Sequence, residues 1–94
     1  MALGLLTLYL HIPACTSLKE KRSRLKPLLA RLHREFNVSA AEIDRQDVWQ
    51  DAVVACALVS NDAAHTQRAL QHIVHWIETS WPDVEVENDS LELF

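Results

Sequence analysis

Residues 3–36 have the sequence LGLLTLYLHIPACTSLKEKRSRLKPLLARLHREF, and they contain a strand pattern followed by a helix pattern. The run over residues 3–12 is short and apolar and ends at Pro13, which is typical of a buried strand. Ser17 and Glu20 form a capping box, which marks the start of a helix. Apolar residues then follow at helical spacing, so we predict a helix over residues 17–36. Its apolar stripe consists of Leu18, Leu25, Leu29, Leu32 and Phe36.

Three further strands are predicted in the remainder of the chain. Residues 38–45 and 51–60 form two of them, and the run over 51–60 is apolar on both faces, which indicates a central position in a sheet. A last strand over residues 83–93 alternates valine with glutamate from Val84 to Glu87. Such alternation predicts a strand with one buried face and one exposed face.

A second helix extends to about Thr79, with caps supplied by Ser60, Asn61 and Asp62. Its apolar stripe consists of Thr66, Leu70, Ile73 and Ile77. The element order is therefore β-α-β-β-α-β, and each helix must bury its stripe on the sheet. We predict one α/β domain (α+β, two-layer) over residues 1–94. It is a ferredoxin-like sandwich with a four-stranded antiparallel sheet, two helices on one face, and the first and third strands central.

Length and composition limit the function classes. The 94 residues, 49% of them hydrophobic, can build a core without disulfide or metal staples. A single glycine excludes the glycine-rich phosphate loops of Rossmann enzymes and P-loop NTPases. Two cysteines are too few for a disulfide framework. A signal peptide has positive charge before its apolar segment, and no Lys or Arg precedes the apolar N-terminal run of this chain. We therefore expect a reduced, cytoplasmic protein, and no apolar run is long enough for a membrane span.

Charge is segregated along the chain. The net charge is −4, yet the predicted helix over residues 17–36 has seven of the nine Lys and Arg residues against two acids, a net of +5. These seven are Lys19, Lys21, Arg22, Arg24, Lys26, Arg31 and Arg34. The sequence leaves three interpretations open: a solvated surface helix, a partner for the acidic last strand, or a patch that faces a phosphate backbone.

The topology predicts which basic residues share an edge of the sheet. The first strand ends where the first helix begins, and the turn between the second and third strands returns to the same edge. The candidate phosphate contacts are Lys19, Arg22, Lys26 and Arg45, with His11 and Trp49 beside them. Lys21 falls nearer the apolar side of the helix and is a candidate structural partner for Glu42 or Asp44. Those two acids are predicted to share one face of their strand.

No catalytic or metal-binding constellation is evident. His72 and His75 place two imidazoles on one helical face, but a structural zinc needs four ligands and a catalytic zinc needs three protein ligands. Cys15 and His11 lack the third group that would orient a nucleophile and its base. We therefore expect no enzyme, no metal and no cofactor.

The open face of the predicted sheet suggests an alternative function. RNA-recognition domains share this element order and stack bases on aromatic residues of the first and third strands. The run over residues 51–60 has no aromatic residue, so we do not expect that binding mode. The open face is instead apolar, with Leu3, Leu5 and Tyr9 alternating along the first strand. A surface of this kind favours a homodimer or another protein partner.

Five segments together show a family resemblance. They are His11-x-Pro13, SLKEKR at 17–22, FNVS at 36–39, Glu42-x-Asp44 and SND at 60–62. The chain resembles the YlxP-like family of small bacterial proteins, a domain-of-unknown-function family, over nearly its whole length. The resemblance implies a ferredoxin-like fold and a bacterial cytoplasmic setting, and it implies no catalytic motif. Genes of that family often lie among those for translation and ribosome-maturation factors, which implies association with RNA or the ribosome.

Two functions therefore remain open from the sequence. The first is an RNA- or ribosome-associated module that binds through the basic helix, and its binding should fall steeply with salt because phosphate contacts release counterions. The second is a protein-interaction module or homodimer that uses the open sheet face and depends less on salt.

Overall fold

The computed structural model describes residues 1–94 and contains four strands and two helices. They are β1 (Ala2–His11), α1 (Leu18–Phe36), β2 (Ser39–Asp44), β3 (Asp51–Ser60), α2 (Ala63–Ser80) and β4 (Glu85–Leu93). The strands form one antiparallel sheet in the order β2-β3-β1-β4. The predicted ferredoxin-like arrangement, with the first and third strands central, is confirmed. Neither helix combines the length and the apolar character needed to cross a bilayer.

The two faces of the sheet differ because successive side chains of a strand point to opposite sides. On β1 the buried face consists of Ala2, Gly4, Leu6, Leu8 and Leu10, which lies under the helices. The other face is not covered. It includes half-buried Leu3 and Leu5, Tyr9 with 38% of its surface exposed, and Val59 of β3 with 62% exposed. The predicted apolar open face is therefore present.

Helix α2 packs its predicted stripe against β1. Thr66, Leu70, Ile73 and Ile77 are all buried, as the spacing predicts. Gly4, the single glycine, lies beneath this stripe, and a Cβ atom there would come within 2.6 Å of both Leu70 Cδ1 and Thr66 Cγ2. The missing side chain therefore permits the close approach of α2 to the sheet. The helix is capped by Asp62, whose carboxylate accepts hydrogen bonds from the Ala64 and His65 amides.

Helix α1 begins with the predicted capping box. The Ser17 side chain accepts a hydrogen bond from the Glu20 amide at 3.0 Å. The Glu20 carboxylate reaches back to the Thr16 amide at 2.7 Å, and this bond lowers the pKa of Glu20. The first bond satisfies one of the orphan amides at the helix start, and the second satisfies the amide of the residue that precedes the cap.

The buried face of α1 is displaced from the predicted stripe. Lys21, Leu25, Leu28 and Leu32 are buried, whereas Leu29 is half-buried at the margin of the core. The spacing of the leucines alone is compatible with either Leu28 or Leu29 on the buried face of α1. Lys21 also belongs to this face, which moves the centre of the buried arc towards Leu28.

A bulge in β2 corrects another expectation. Glu42 is the cross-strand partner of Val54, and Asp44 is the partner of the next residue, Val53, so Ile43 is extra in the register. Neighbouring residues of β3 face opposite sides of the sheet, and so do their partners. The prediction that Glu42 and Asp44 share a strand face is therefore wrong, and Glu42 alone faces α1.

Truncation of Leu28 tests the buried face of α1. Leu28→Ala should lower the free energy of unfolding by about 2–5 kcal/mol, because it leaves a cavity in the core. Leu29→Ala removes the same atoms from the half-buried margin and is the matched control, with a smaller loss expected. Denaturant unfolding measures both, and an equal or larger loss for Leu29→Ala would contradict the observed face.

A serine pair tests the helix cap. Ser17→Ala should lower the free energy of unfolding by about 1 kcal/mol, because it removes the acceptor of the Glu20 amide. The matched control is Ser23→Ala, which removes an exposed hydroxyl bonded to the Glu20 carbonyl within the helix. We expect a change within about 0.5 kcal/mol for the control. Thermal unfolding that ranks the two variants equally would argue against the cap.

Candidate functional site

Lys21 is a buried cation that ties α1 to the turn between β2 and β3. Only 1% of its surface is exposed. Its Nζ donates to the backbone carbonyls of Arg45 and Val48, each at 2.7 Å, and lies 2.7 Å from Glu42 Oε2. The two carbonyls accept hydrogen bonds from the ammonium, and the carboxylate offsets its charge. The prediction that Lys21 is a structural partner of Glu42 is confirmed, and Lys21 is not available to a ligand.

Glu42 depends on this contact as much as the lysine does. Its Oε2 atom is buried and accepts no hydrogen bond from any other group, so the ionic contact with Lys21 Nζ is its compensation. The turn that follows is also locally fixed. Arg45 has a left-handed φ of 59°, and its amide donates to Asp44 Oδ1 at 2.8 Å. The carbonyls of the turn are thereby held in position towards the lysine.

Two other cations of α1 also have partners within the fold. Arg24 donates from Nη1 to the Pro13 carbonyl at 2.7 Å and from Nη2 to the Asp83 carbonyl at 2.5 Å. Arg31 lies 3.3 Å from the Glu35 carboxylate and 5.8 Å from the centre of the Trp76 ring. Arg24 thus joins the two loops at one end of the sheet. The sequence does not signal this role, because its partners are backbone carbonyls far along the chain.

Lys19, Arg22 and Lys26 form what we call the cationic flank of α1. All three are exposed, and none takes part in a salt bridge of the fold. Steps of three and four residues place them on one side of the helix. They border a groove of about 450 Å³ between α1 and β2. The groove is lined by Lys19, Arg22, Ser23, Leu25, Lys26, Leu29 and Glu42.

Two other candidate contacts, Arg45 and Trp49, lie between β2 and β3. We call the contacts of Lys21 with this turn and with Glu42 the Lys21 anchor. Arg45 Nη1 is 3.9 Å from Asp51 Oδ2, and the Arg45 side chain is 55% exposed. Trp49 is exposed and lines a separate depression of about 300 Å³ on the turn. The turn does return to the start of α1, as the topology predicts, because the Ile12 amide donates to the Gln50 carbonyl at 2.8 Å.

His11 has acidic contacts instead of the basic neighbours that the sequence suggested. Its Nδ1 lies 3.4 Å from Asp51 Oδ1 and 3.9 Å from Glu87 Oε1. The reason is the alternation of β1, which directs His11 to the open face with Tyr9 and away from the helices. Sequence reasoning missed this cluster, because its members belong to three different strands.

The two thiols are confined to the interior. Cys15 is fully buried, and its Sγ donates to the Ser17 carbonyl at 3.4 Å. Burial raises the pKa of the Cys56 thiol to about 12, so it remains protonated at neutral pH. A cysteine nucleophile acts as the thiolate, and His11 contacts carboxylates and not Cys15.

Comparisons with known proteins connect the chain to proteins of unknown function. The family described as "Protein of unknown function (DUF503)" matches residues 3–89. The protein called "Uncharacterized protein YlxP" of Bacillus subtilis (strain 168) is 44% identical over 69 residues. The match covers 73% of this chain and 74% of the relative. The residues matched by the family include the Lys21 anchor and the cationic flank.

The Lys21 anchor is tested by removing its charge and keeping its apolar stem. Lys21→Met should lower the free energy of unfolding by about 3–5 kcal/mol, because it leaves the Glu42 carboxylate uncompensated. Lys26→Met removes an exposed lysine from the same helix, and we expect a change within about 1 kcal/mol. Adding Glu42→Met to Lys21→Met should recover part of the loss. Urea unfolding gives all three values, and equal small losses for the two single variants would refute the anchor.

Proposed function

The chain belongs to the DUF503 family, a family of proteins of unknown function, and we propose that it is a non-enzymatic module that binds RNA, including ribosomal RNA, in the bacterial cytoplasm. The observation that supports the proposal is the cationic flank of Lys19, Arg22 and Lys26 beside an open groove. Two free, buried cysteines are in keeping with a reducing compartment.

The cationic flank suits a phosphate backbone for three reasons. Its side chains have no ionic partner within the fold, so a polyanion does not need to displace one. The flank extends from Lys19 to Lys26, about 10 Å along the helix axis, which suits a short segment of backbone. The rest of the chain is acidic, so an incoming polyanion is attracted to this surface and repelled elsewhere.

Arg45 and Trp49 extend the proposed contact onto the turn that Lys21 fixes. Arg45 has only a long contact to Asp51, and its guanidinium is free to reach a phosphate. Trp49 lies four residues further along the chain and is 49% exposed, so an unpaired base can stack on its ring. We leave His11 out of the contact, because the neighbouring Asp51 and Glu87 carboxylates repel phosphate.

A homodimer, or a second protein, on the open sheet face is the other candidate function. The exposed Val59 and Tyr9 and the half-buried Leu3 and Leu5 support it, since they form an apolar strip along the two central strands. The strip lies on the face opposite the helices. A dimer formed there would leave the cationic flank of each copy open to RNA, so the two functions are compatible.

Charge removal tests the RNA contact. Lys19→Gln combined with Lys26→Gln should reduce the slope of log K against log salt by about 2 and should weaken binding evenly across RNA sequences. The matched control combines Arg34→Gln with Arg68→Gln, two exposed cations outside the flank, and its slope should stay close to that of the wild type. Fluorescence anisotropy with labelled ribosomal RNA fragments measures the slopes.

Co-sedimentation with ribosomes provides the second measurement, with circular dichroism as the folding control. The wild type and the control should sediment with ribosomes at low salt, and the flank variant should not. Equal slopes for the two double variants would refute the flank as the contact. A wild type that binds no RNA and does not sediment with ribosomes at low salt would overturn the RNA function and favour the protein partner.

A further inference from the structure

A histidine and two carboxylates from three adjacent strands meet at one end of the open sheet face. His11 is the last residue of β1, Asp51 is the first residue of β3, and Glu87 lies in β4. One donor atom from each residue lies within 4.8 Å of both others. The side chains of His11 and Asp51 are each about one-third exposed and that of Glu87 is 57% exposed, so the cluster is accessible from solvent.

The register of the sheet explains why these three residues meet. His11 and Asp51 are direct cross-strand partners. On the other side of β1, Leu10 is paired with Val86 and Tyr9 with Asn88, so Glu87 is the extra residue of a bulge. A bulge redirects the side chain that it carries. In this sheet it places Glu87 Oε1 at 3.9 Å from His11 Nδ1.

We propose that His11, Asp51 and Glu87 bind a divalent transition metal of the zinc class. The donor separations support this assignment. Ligand distances of about 2.0–2.2 Å in a tetrahedral site place neighbouring donors about 3.3–3.6 Å apart. The separation of His11 Nδ1 from Asp51 Oδ1 is 3.4 Å and that from Glu87 Oε1 is 3.9 Å, and the donors of the two carboxylates lie within 4.8 Å of each other. The two distances from His11 are close to the tetrahedral values, so the set needs only an inward movement of the acidic side chains.

The chemistry of the donors selects the class of metal. An imidazole nitrogen favours zinc and its transition-metal neighbours over magnesium and calcium, which prefer oxygen donors alone. Two carboxylates neutralise the charge of the dication. Arg45 contacts Asp51 through Oδ2, so the oxygen that faces His11 is Oδ1 and remains available. Glu85, the other cross-strand partner of His11, adds negative charge on the same face.

Three protein donors leave one tetrahedral position for water or another ligand. Because His11 lies on the uncovered sheet face, that position is available to water or to a donor from another molecule. None of the three residues belongs to the cationic flank of α1, and the site adjoins the turn through Asp51, whose other carboxylate oxygen lies 3.9 Å from Arg45 Nη1.

Zinc binding to the metal-free full chain tests the proposal. Equilibrium dialysis at neutral pH should find one zinc per chain in the wild type. His11→Gln and Glu87→Gln should each weaken zinc binding by at least about tenfold. The matched control is His72→Gln combined with His75→Gln, which removes the two imidazoles that lie side by side on α2, and zinc binding should be unchanged.

Two further measurements make the result specific to this cluster. Zinc should raise the melting temperature of the wild type and not that of Glu87→Gln, because a ligand stabilises only the fold that binds it. The His11 ring nitrogens should shift in the ¹⁵N spectrum when zinc is added. Absence of zinc binding, binding unchanged in both Gln variants, or binding lost in the α2 control would each overturn the site.

Discussion

Moving a lysine ammonium from water into the protein interior costs free energy. In this fold three oxygen atoms close to Lys21 Nζ offset that cost. Two of them are carbonyls of the turn between β2 and β3, and the third belongs to Glu42 on edge strand β2. One cation therefore fixes α1, β2 and the turn relative to each other. The cost of burying it is offset only when all three partners are in place, which makes this corner of the fold specific.

The contacts of Lys21 also explain part of the concentration of positive charge on α1. The excess of positive charge on α1 is divided between cations that hold the fold together and cations that do not. Lys21, Arg24 and Arg31 contact groups of the chain itself. The cationic flank lies on the next side of the same helix and forms no salt bridge within the chain. Because Lys21 donates to the carbonyls of Arg45 and Val48, the turn is held against the helix that carries the flank.

Local patterns were enough to predict most of the fold. The stripe of α2, the Ser17 cap and the apolar run of β3 are each short-range signals that locate an element. The strand order then follows from the β-α-β-β-α-β element order of the ferredoxin-like arrangement. The structural role of Lys21 was also predictable, because its helical position falls on the apolar side. Leu28 was not, since leucine spacing admits two faces and packing chooses between them.

The bulges in β2 and β4 could not be predicted from the sequence. A bulge shifts every later residue of its strand to the other face, and nothing in the local sequence announces the extra residue at Ile43 or at Glu87. The first bulge separates Asp44 from Glu42, and the second brings Glu87 to His11. The cationic flank, by contrast, lies on one regular helix, so its three members could be named from spacing alone.

The most direct test of the central claim is a map of backbone amide shifts in the ¹H–¹⁵N spectrum of the full chain as a ribosomal RNA fragment is added. The account predicts that the perturbed amides belong to the N-terminal half of α1 and to the turn after β2, and that the central strands are unaffected. Perturbations confined to the open face, around Leu5, Tyr9 and Val59, would contradict it, as would a spectrum that RNA leaves unchanged at low salt.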